Sequence, residues 1–380
     1  MVTVVLLFNV PFIQLANAEP WRVVNSMNSP RYHHTATLLF NGGVLVAGGY
    51  DNSPNSLATA ELFNFITEKW TKTGSMNDSR GDHDATRLKN GQVLVTGGFS
   101  NNSSSIYDYK ILATAELFNP VTRRWQRTGS MTVPRANHTS TLLANGTVLV
   151  TGGDNDVGIT NGAEVYTFSD KCWVTTSSLN VARTVHTATL LSNGKVLVVG
   201  GIDAYGNPLK SAELYDPNTK IWTYTGSLNS ERFYHSATLL PDGKVLVVGG
   251  YGLPNRVISS TELYDPITET WTETATSLND ARGEQSATLL SNGQILIAGG
   301  YAIGNYGGAL NSVESYQAAQ GAWTQGDPLN FARGSHTSTL LPTGRVLITG
   351  GYDDFENTPL SSVEINGPSL FHAAKYQASK

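Results

Sequence analysis

Charge is scarce in this sequence. Asp, Glu, Lys and Arg make up 14% of its 380 residues, against about a quarter in an average globular chain. The charge that is present sums to −5 and never gathers into a basic run. The chain therefore lacks the cationic footprint that nucleic-acid binding requires, and nucleic acid is not an expected partner. Cysteine occurs once, at Cys172, which excludes an intrachain disulfide and leaves stability to packing and hydrogen bonds. Beyond the first twenty residues there is no long apolar run. The N-terminal run, "VTVVLLFNVPFIQLA", is interrupted by Asn9 and Pro11 and is short for a membrane span, so no stable membrane insertion is expected. Ala16 and Ala18 precede Glu19 in the manner of a secretory cleavage site, although no Lys or Arg precedes the apolar run. Residues 1–18 are accordingly read as a signal peptide and the mature chain as secreted. A cytoplasmic location is the alternative if that segment is not a signal.

What is abundant is glycine, 38 residues, above the usual ~7%, together with Thr, Ser and Asn. Regularly placed Val and Leu argue against disorder. The combination points to an all-β chain with many turns. The apolar runs repeat. Each ends in Gly-Gly, and the second glycines are Gly49, Gly98, Gly153, Gly201, Gly250, Gly300 and Gly351. An arginine opens each unit: Arg31, Arg80, Arg135, Arg183, Arg232, Arg282 and Arg333. A glutamate follows each Gly-Gly: Glu61, Glu116, Glu164, Glu213, Glu262, Glu314 and Glu364. Tryptophan closes six units, at Trp70, Trp125, Trp173, Trp222, Trp271 and Trp323. The seventh is Trp21, because "WRVVNSMNSPRYHHTATLL" aligns with "WTKTGSMNDSRGDHDATRL". Trp21 thus belongs to a unit whose other strands lie at the far end of the chain, after Arg333.

Each unit reads as four strands. The stretch "RTVHTATLLSNGKVLVVGG" gives two around Asn193-Gly194, a dipeptide expected to supply both φ > 0 residues of a tight hairpin. "SAELYDP" and "IWTYTG" give the third and fourth. The first strands carry small side chains, suited to crowding round an axis. The tryptophan strands suit the wide outer wedge between neighbouring sheets.

Arg-x-x-His, the apolar run into Gly-Gly, "ELYDP" and the following Trp resemble the kelch repeat, over about residues 20–366. The resemblance implies a single seven-bladed β-propeller of four-stranded kelch blades, similar to the galactose oxidase/kelch superfamily. Residues 19–27 would form the outer strand of blade seven, followed by blades one to six. Residues 333–366 would supply the rest of blade seven, and residues 367–380 a tail. A monomeric ring is expected. Galactose oxidase uses copper and a Tyr–Cys cross-link. Cys172, beside Trp173 on an outer strand, is badly placed for one, so neither that activity nor any cofactor is expected here.

Seven copies of Arg and Glu argue for a structural pair, because a catalytic group is needed once. The histidines His34, His83, His138, His186, His235 and His336, with Gln285 in the remaining place, sit in separate blades and have no metal-ligand spacing. No metal site and no catalytic residue are assigned. Selectivity needs asymmetry, which lies in two sets of loops expected on one face. After the Gly-Gly pairs come Tyr50, Asp51, Phe99, Asp154, Asp203, Tyr251, Tyr301, Tyr352 and Asp353. Between blades come Tyr32, His33, Asp82, Asn137, Phe233, Tyr234 and Glu284. Aromatic rings beside carboxylates suit sugars or peptides. The blade-two loop, "FSNNSSSIYDYKILATA", is the longest, and its blade carries Asp84 and Arg87 where others have Ser or Thr and Leu. Sequons occur at Asn77, Asn101, Asn102, Asn137 and Asn145, relevant to a secreted eukaryotic chain. The leading expectation is a secreted binding or scaffold module for protein or glycan ligands. The alternatives are a carbohydrate-active enzyme of mutarotase or oxidase type, and a kelch adaptor in a ubiquitin-ligase or actin context.

Overall fold

Val44–Ala47 is apolar at nearly every position and buried at all of them. A strand covered on both faces needs no polar alternation, and such a strand is the second of four in every four-stranded sheet. In the computed structural model, which describes residues 20–53, 55–101, 109–253, 256–303 and 307–367, all regular structure is strand. The signal peptide read at 1–18, Asn102, most of the blade-two loop and all of the tail except Gly367 lie outside these residues. Blade one runs Thr35–Leu38, Val44–Ala47, Ala60–Asn64 and Lys69–Lys72, from inside to outside. Val46 stands opposite Ala36 on one side and Glu61 on the other. Six further four-stranded antiparallel sheets are built alike, the last taking its outer strand from Trp21–Val24, and among the described residues five short two-stranded sheets lie in the loops after Gly-Gly. The inner strands touch their neighbours in a closed cycle that includes Thr35–Leu38 against Thr337–Leu340. The structure is a seven-bladed β-propeller.

Its core is shared between blades. Val44, Val46 and Phe63 of blade one pack with Leu347, Val363 and Ile365 of blade seven. A comparable cluster fills each of the other six interfaces. Blade seven is completed by Trp21–Val24, with Trp21 opposite Asn366 and Val24 opposite Val363. The junction also carries a polar clasp. Both Glu68 oxygens accept from Arg22, its carbonyl accepts from Asn25 Nδ2 at 2.9 Å, and Arg345 lies 3.5 Å away.

The conserved spacings of the repeat have physical causes. Glu61 accepts the backbone N–H groups of Asn28 and Ser29 at 2.9 and 3.2 Å and pairs with Arg31 at 3.1 Å. Arg31 also donates to the carbonyl of Gly48 at 2.7 Å. The carboxylate thus pins the strap arriving from the previous blade, and this arrangement recurs in all seven blades. Gly48 and Gly49 adopt φ of +64° and +91°. Gly49 N–H donates to Arg80 O at 2.9 Å, and a Cβ on Gly48 would lie 2.5 Å from that oxygen. The histidines join blades too. His83 Nε2 meets Thr35 Oγ1 at 3.0 Å, and Gln285 donates to Val248 O at 2.8 Å. Burial, with Arg80 nearby, drives the His83 pKa down to about 3. Trp222 stacks on Tyr215 at 4.9 Å and donates to Ser177 O of the preceding strap at 2.9 Å.

One expectation needs correction. The Asn-Gly hairpins are not built from two φ > 0 residues. Only the glycine is left-handed, as at Gly194 with φ +83°. Leu191 opens a turn closed by Gly194 N–H to Leu191 O at 3.0 Å, and Asn193 Oδ1 accepts Lys195 N–H at 3.0 Å. The loop is a type I turn ended by a left-handed glycine, and asparagine serves as a cap. Asp84 and Arg87, which replace the small and apolar residues of the other blades, both bond neighbouring blades. Asp84 accepts Ser140 N–H of blade three at 2.6 Å. Arg87 donates to Leu38 O of blade one and lies 4.4 Å over Phe40.

Candidate functional site

Each strap between blades pairs with the residue that follows Gly-Gly: Tyr32 with Tyr50, Gly81 with Phe99, Phe233 with Tyr251, Gly334 with Tyr352. These bridges bring both loop sets to one face. The next strap residue is left-handed in every blade. His33, Asp82, Asn137, Val185, Tyr234, Glu284 and Ser335 have φ between +48° and +53°, a region that side-chain-bearing residues seldom enter. Here it aims each backbone N–H at the equivalent carbonyl of the preceding blade. The seven resulting bonds measure 3.0 to 3.3 Å and close a complete circle round the axis.

Three side chains of this circle form a charged cluster at the mouth. His33 Nδ1 lies 2.9 Å from Asp82 Oδ1, and His33 Nε2 lies 3.8 Å from Glu284 Oε2. Tyr50 OH donates to Asp82 Oδ2 at 2.9 Å, and Ser335 Oγ donates to Glu284. Burial alone would lower the His33 pKa, but the charge and hydrogen bond of Asp82 and the charge of Glu284 outweigh it and raise the pKa to about 9. For Asp82, burial pushes upward and His33 overrides it, so its pKa is lowered. For Glu284 burial wins and the pKa is raised. At neutral pH His33 and Asp82 therefore stand as an ion pair.

Beside this cluster opens a cavity of about 640 Å³. Its aromatic wall is Tyr32, Tyr50, Phe99, Tyr109, Tyr301 and Tyr352, and its polar wall is His33, Asp82, Asn101, Ser335, Asp354 and Asn357. Tyr32 is the keystone, with ring centroids 5.5 Å from Tyr50 and 5.1 Å from Tyr352. Tyr50 lies flat over the next strap, where a Cβ on Gly81 would fall 2.2 Å from its ring. Tyr251 over Gly283 and Tyr301 over Gly334 repeat the arrangement.

The cavity gathers Tyr32, His33, Tyr50, Asp82, Phe99, Tyr301 and Tyr352 from the sequence-based candidates, with Glu284 behind His33. Phe233, Tyr234 and Tyr251 form a second aromatic cluster outside the cavity wall, spaced like Tyr32, His33 and Tyr50. Asp51, Asp203 and Asp353 cap their own turns, accepting N–H from Ser53, Tyr205 and Phe355 at 2.8, 2.9 and 3.0 Å. Asp154 accepts from Asn137 at 2.9 Å and from Thr184 at 3.0 Å. Tyr109, Ser335, Asp354 and Asn357 were not singled out by the sequence. Ser335 had a signal, since it occupies the position of His33 and Glu284 in its own strap. Among the sequons, Asn77 Nδ2 is engaged by Glu116 at 2.7 Å, Asn137 Nδ2 by Asp154, and Asn101 is buried. Asn145 is exposed on a hairpin.

A profile of the KLHDC2/KLHL20/DRC7 kelch-repeats domain matches residues 137–351, more than half of the chain, and a kelch-motif profile matches residues 31–77. No curated protein is significantly similar in sequence. Among solved structures, a fungal alcohol oxidase of the AA5 family, in complex with copper, superimposes with a TM-score of 0.74 at 16% identity, covering 93% of this chain and 77% of that one. At that identity the likeness is one of fold. The residues here do not fit copper. Among the described residues, no group of three or more His, Cys, Asp or Glu is arranged to hold a metal ion. His33 holds Asp82, the other described histidines hold neighbouring blades, and Cys172 sits opposite Thr167 on an outer strand.

Proposed function

We propose that this chain, which belongs to the kelch-repeat family, works as an exported binding module whose ligand is a glycan seated in the cavity of the loop face. The observation that carries the reading is the cavity wall, in which six aromatic rings stand beside two carboxylates, two amides, a hydroxyl and an imidazolium. Rings offer flat apolar surfaces to sugar faces, and fixed polar groups select hydroxyl orientation. The seven-bladed scaffold holds much of the wall in place, because His33, Asp82 and Ser335 belong to the closed backbone circle and Tyr32, Tyr50, Phe99, Tyr301 and Tyr352 are bridged at the straps that carry it. The repeated Arg, Glu and His residues are all absorbed in holding blades together, which leaves this asymmetric face for recognition. The test is a glycan-array screen of the purified protein, with Tyr32→Ala as the control. Saturable binding lost in the variant supports the reading. Absence of binding by a folded protein, or binding that Tyr32→Ala leaves unchanged, overturns it.

A further inference from the structure

We infer that the glycan this cavity accepts carries protonated amines, as an oligomer of glucosamine does. The inference rests on the glycan-binding reading above and narrows it to one chemical class.

The charges of the wall decide the class. Its one cation, His33, is already spent on Asp82 at 2.9 Å, with Glu284 3.8 Å away on its other side. No Lys or Arg is among the described residues that line the cavity. Asp354 remains. It makes no ion pair among the described residues. Instead its two oxygens accept the backbone N–H groups of Gly308 and Ala309, each at 2.6 Å. These bonds fix the carboxylate between the loops of blades six and seven and leave each oxygen with a further lone pair.

Three ligand classes meet this wall differently. A uronate or sulfated sugar brings negative charge toward Asp354 and Asp82, with no free cation to receive it. A neutral sugar stacks on the rings but covers Asp354 without a partner, and desolvating an unpaired carboxylate is costly. An amine supplies the missing countercharge. The surrounding tyrosine faces add to it, because a cation is drawn to the ring quadrupole.

The test is calorimetric titration of the purified protein with three hexamers: glucosamine, N-acetylglucosamine and galacturonate. It is run in mildly acidic buffer, where the amines are protonated, at low and high salt. The glucosamine hexamer is expected to bind about tenfold or more tightly than its acetylated counterpart, and galacturonate not at all. Asp354→Asn is expected to remove that preference. High salt should shrink it in the unaltered protein, which keeps the test valid if the variant misfolds. Equal or tighter binding of the acetylated hexamer overturns the amine assignment and leaves glycan binding standing. A preference for glucosamine that survives both Asp354→Asn and high salt overturns the role of Asp354. If no sugar binds, while a lysine-rich peptide does, the glycan reading falls and this inference with it.

Discussion

The backbone N–H of His33 donates to the carbonyl of Ser335 at 3.1 Å. It is the one bond of the axial circle that joins blade one to blade seven. Closure is thus made twice, at the axis by this backbone bond and at the rim by the pairing of Trp21–Val24 with Val363–Asn366.

The circle demands a left-handed residue in each blade, and Val185 meets that demand worst. It is β-branched and sits at φ +49°. Asparagine tolerates this conformation far better. Val185→Asn is expected to stabilise the fold by about 1 kcal/mol, read as a higher midpoint of thermal unfolding. A lower midpoint would show that the valine side chain has a packing role that outweighs its strain.

Removing residues 20–27 would strip Trp21 and Met27 from two interface cores and expose Val363–Asn366 as an edge. An unpaired edge recruits other chains. The truncated protein is expected to unfold at lower temperature and to aggregate, measured by scanning calorimetry and light scattering. Glu68→Ala, which leaves the strand but removes the clasp, should fall between the two.

Glu116 and Arg80 are both fully buried and lie 3.0 Å apart. Removing one partner of such a pair costs about 3–5 kcal/mol, because the other is left buried without a countercharge. Glu116→Leu is expected to cost that much in chemical denaturation. Arg80→Met combined with Glu116→Leu should cost less than Glu116→Leu alone if the loss is mainly electrostatic, and more if the hydrogen bonds to the strap dominate.

The His33 pair gives stability a definite pH window. Its pKa rises from 6.5 to about 9 on folding, so the contribution is complete below pH 6.5 and disappears as pH rises through about 9. On the acid side it fades as pH falls through the lowered pKa of Asp82. The stability gap between wild type and His33→Gln should be roughly 3 kcal/mol at pH 6 and should close in alkali. A gap independent of pH would show that His33 acts through packing.

Gly81 gives Tyr50 its place. A methyl group there would meet the tyrosine ring at 2.2 Å, displacing the ring from Asp82 and from Tyr32. Gly81→Ala is expected to weaken glycan binding about tenfold or more with a smaller effect on the unfolding midpoint. Unchanged affinity would place the ligand away from Tyr50.

The fold was legible because its constraints recur. Trp21 could be assigned to blade seven from its neighbours alone, since each outer strand needs a tryptophan followed by a strap ending in arginine. The hairpin geometry was misread at Asn193, where the dipeptide signal for a tight turn is outweighed by a four-residue loop that requires only one left-handed residue. The site was legible in half. Tyr32, His33 and Tyr50 stand at repeat positions where other blades differ, so comparison among blades reveals them. Asp354 and Asn357 lie in the hairpin after Gly351, whose counterparts in other blades differ in length and sequence, so comparison among blades does not single them out. Their contribution depends on how that hairpin leans on its neighbour.

The offset of the outer strand also sets an order in time. A ribosome makes residues 21–24 about 340 residues before their partners at 363–366. At synthesis rates of about 5–20 residues per second, the first strand waits roughly 20–70 s for its sheet. Six blades can form in sequence during that interval, each from contiguous chain. The seventh cannot. Closing the ring joins the first-made strand of the propeller to its last-made one, and until then the growing chain carries an open strand that must be kept from other nascent chains.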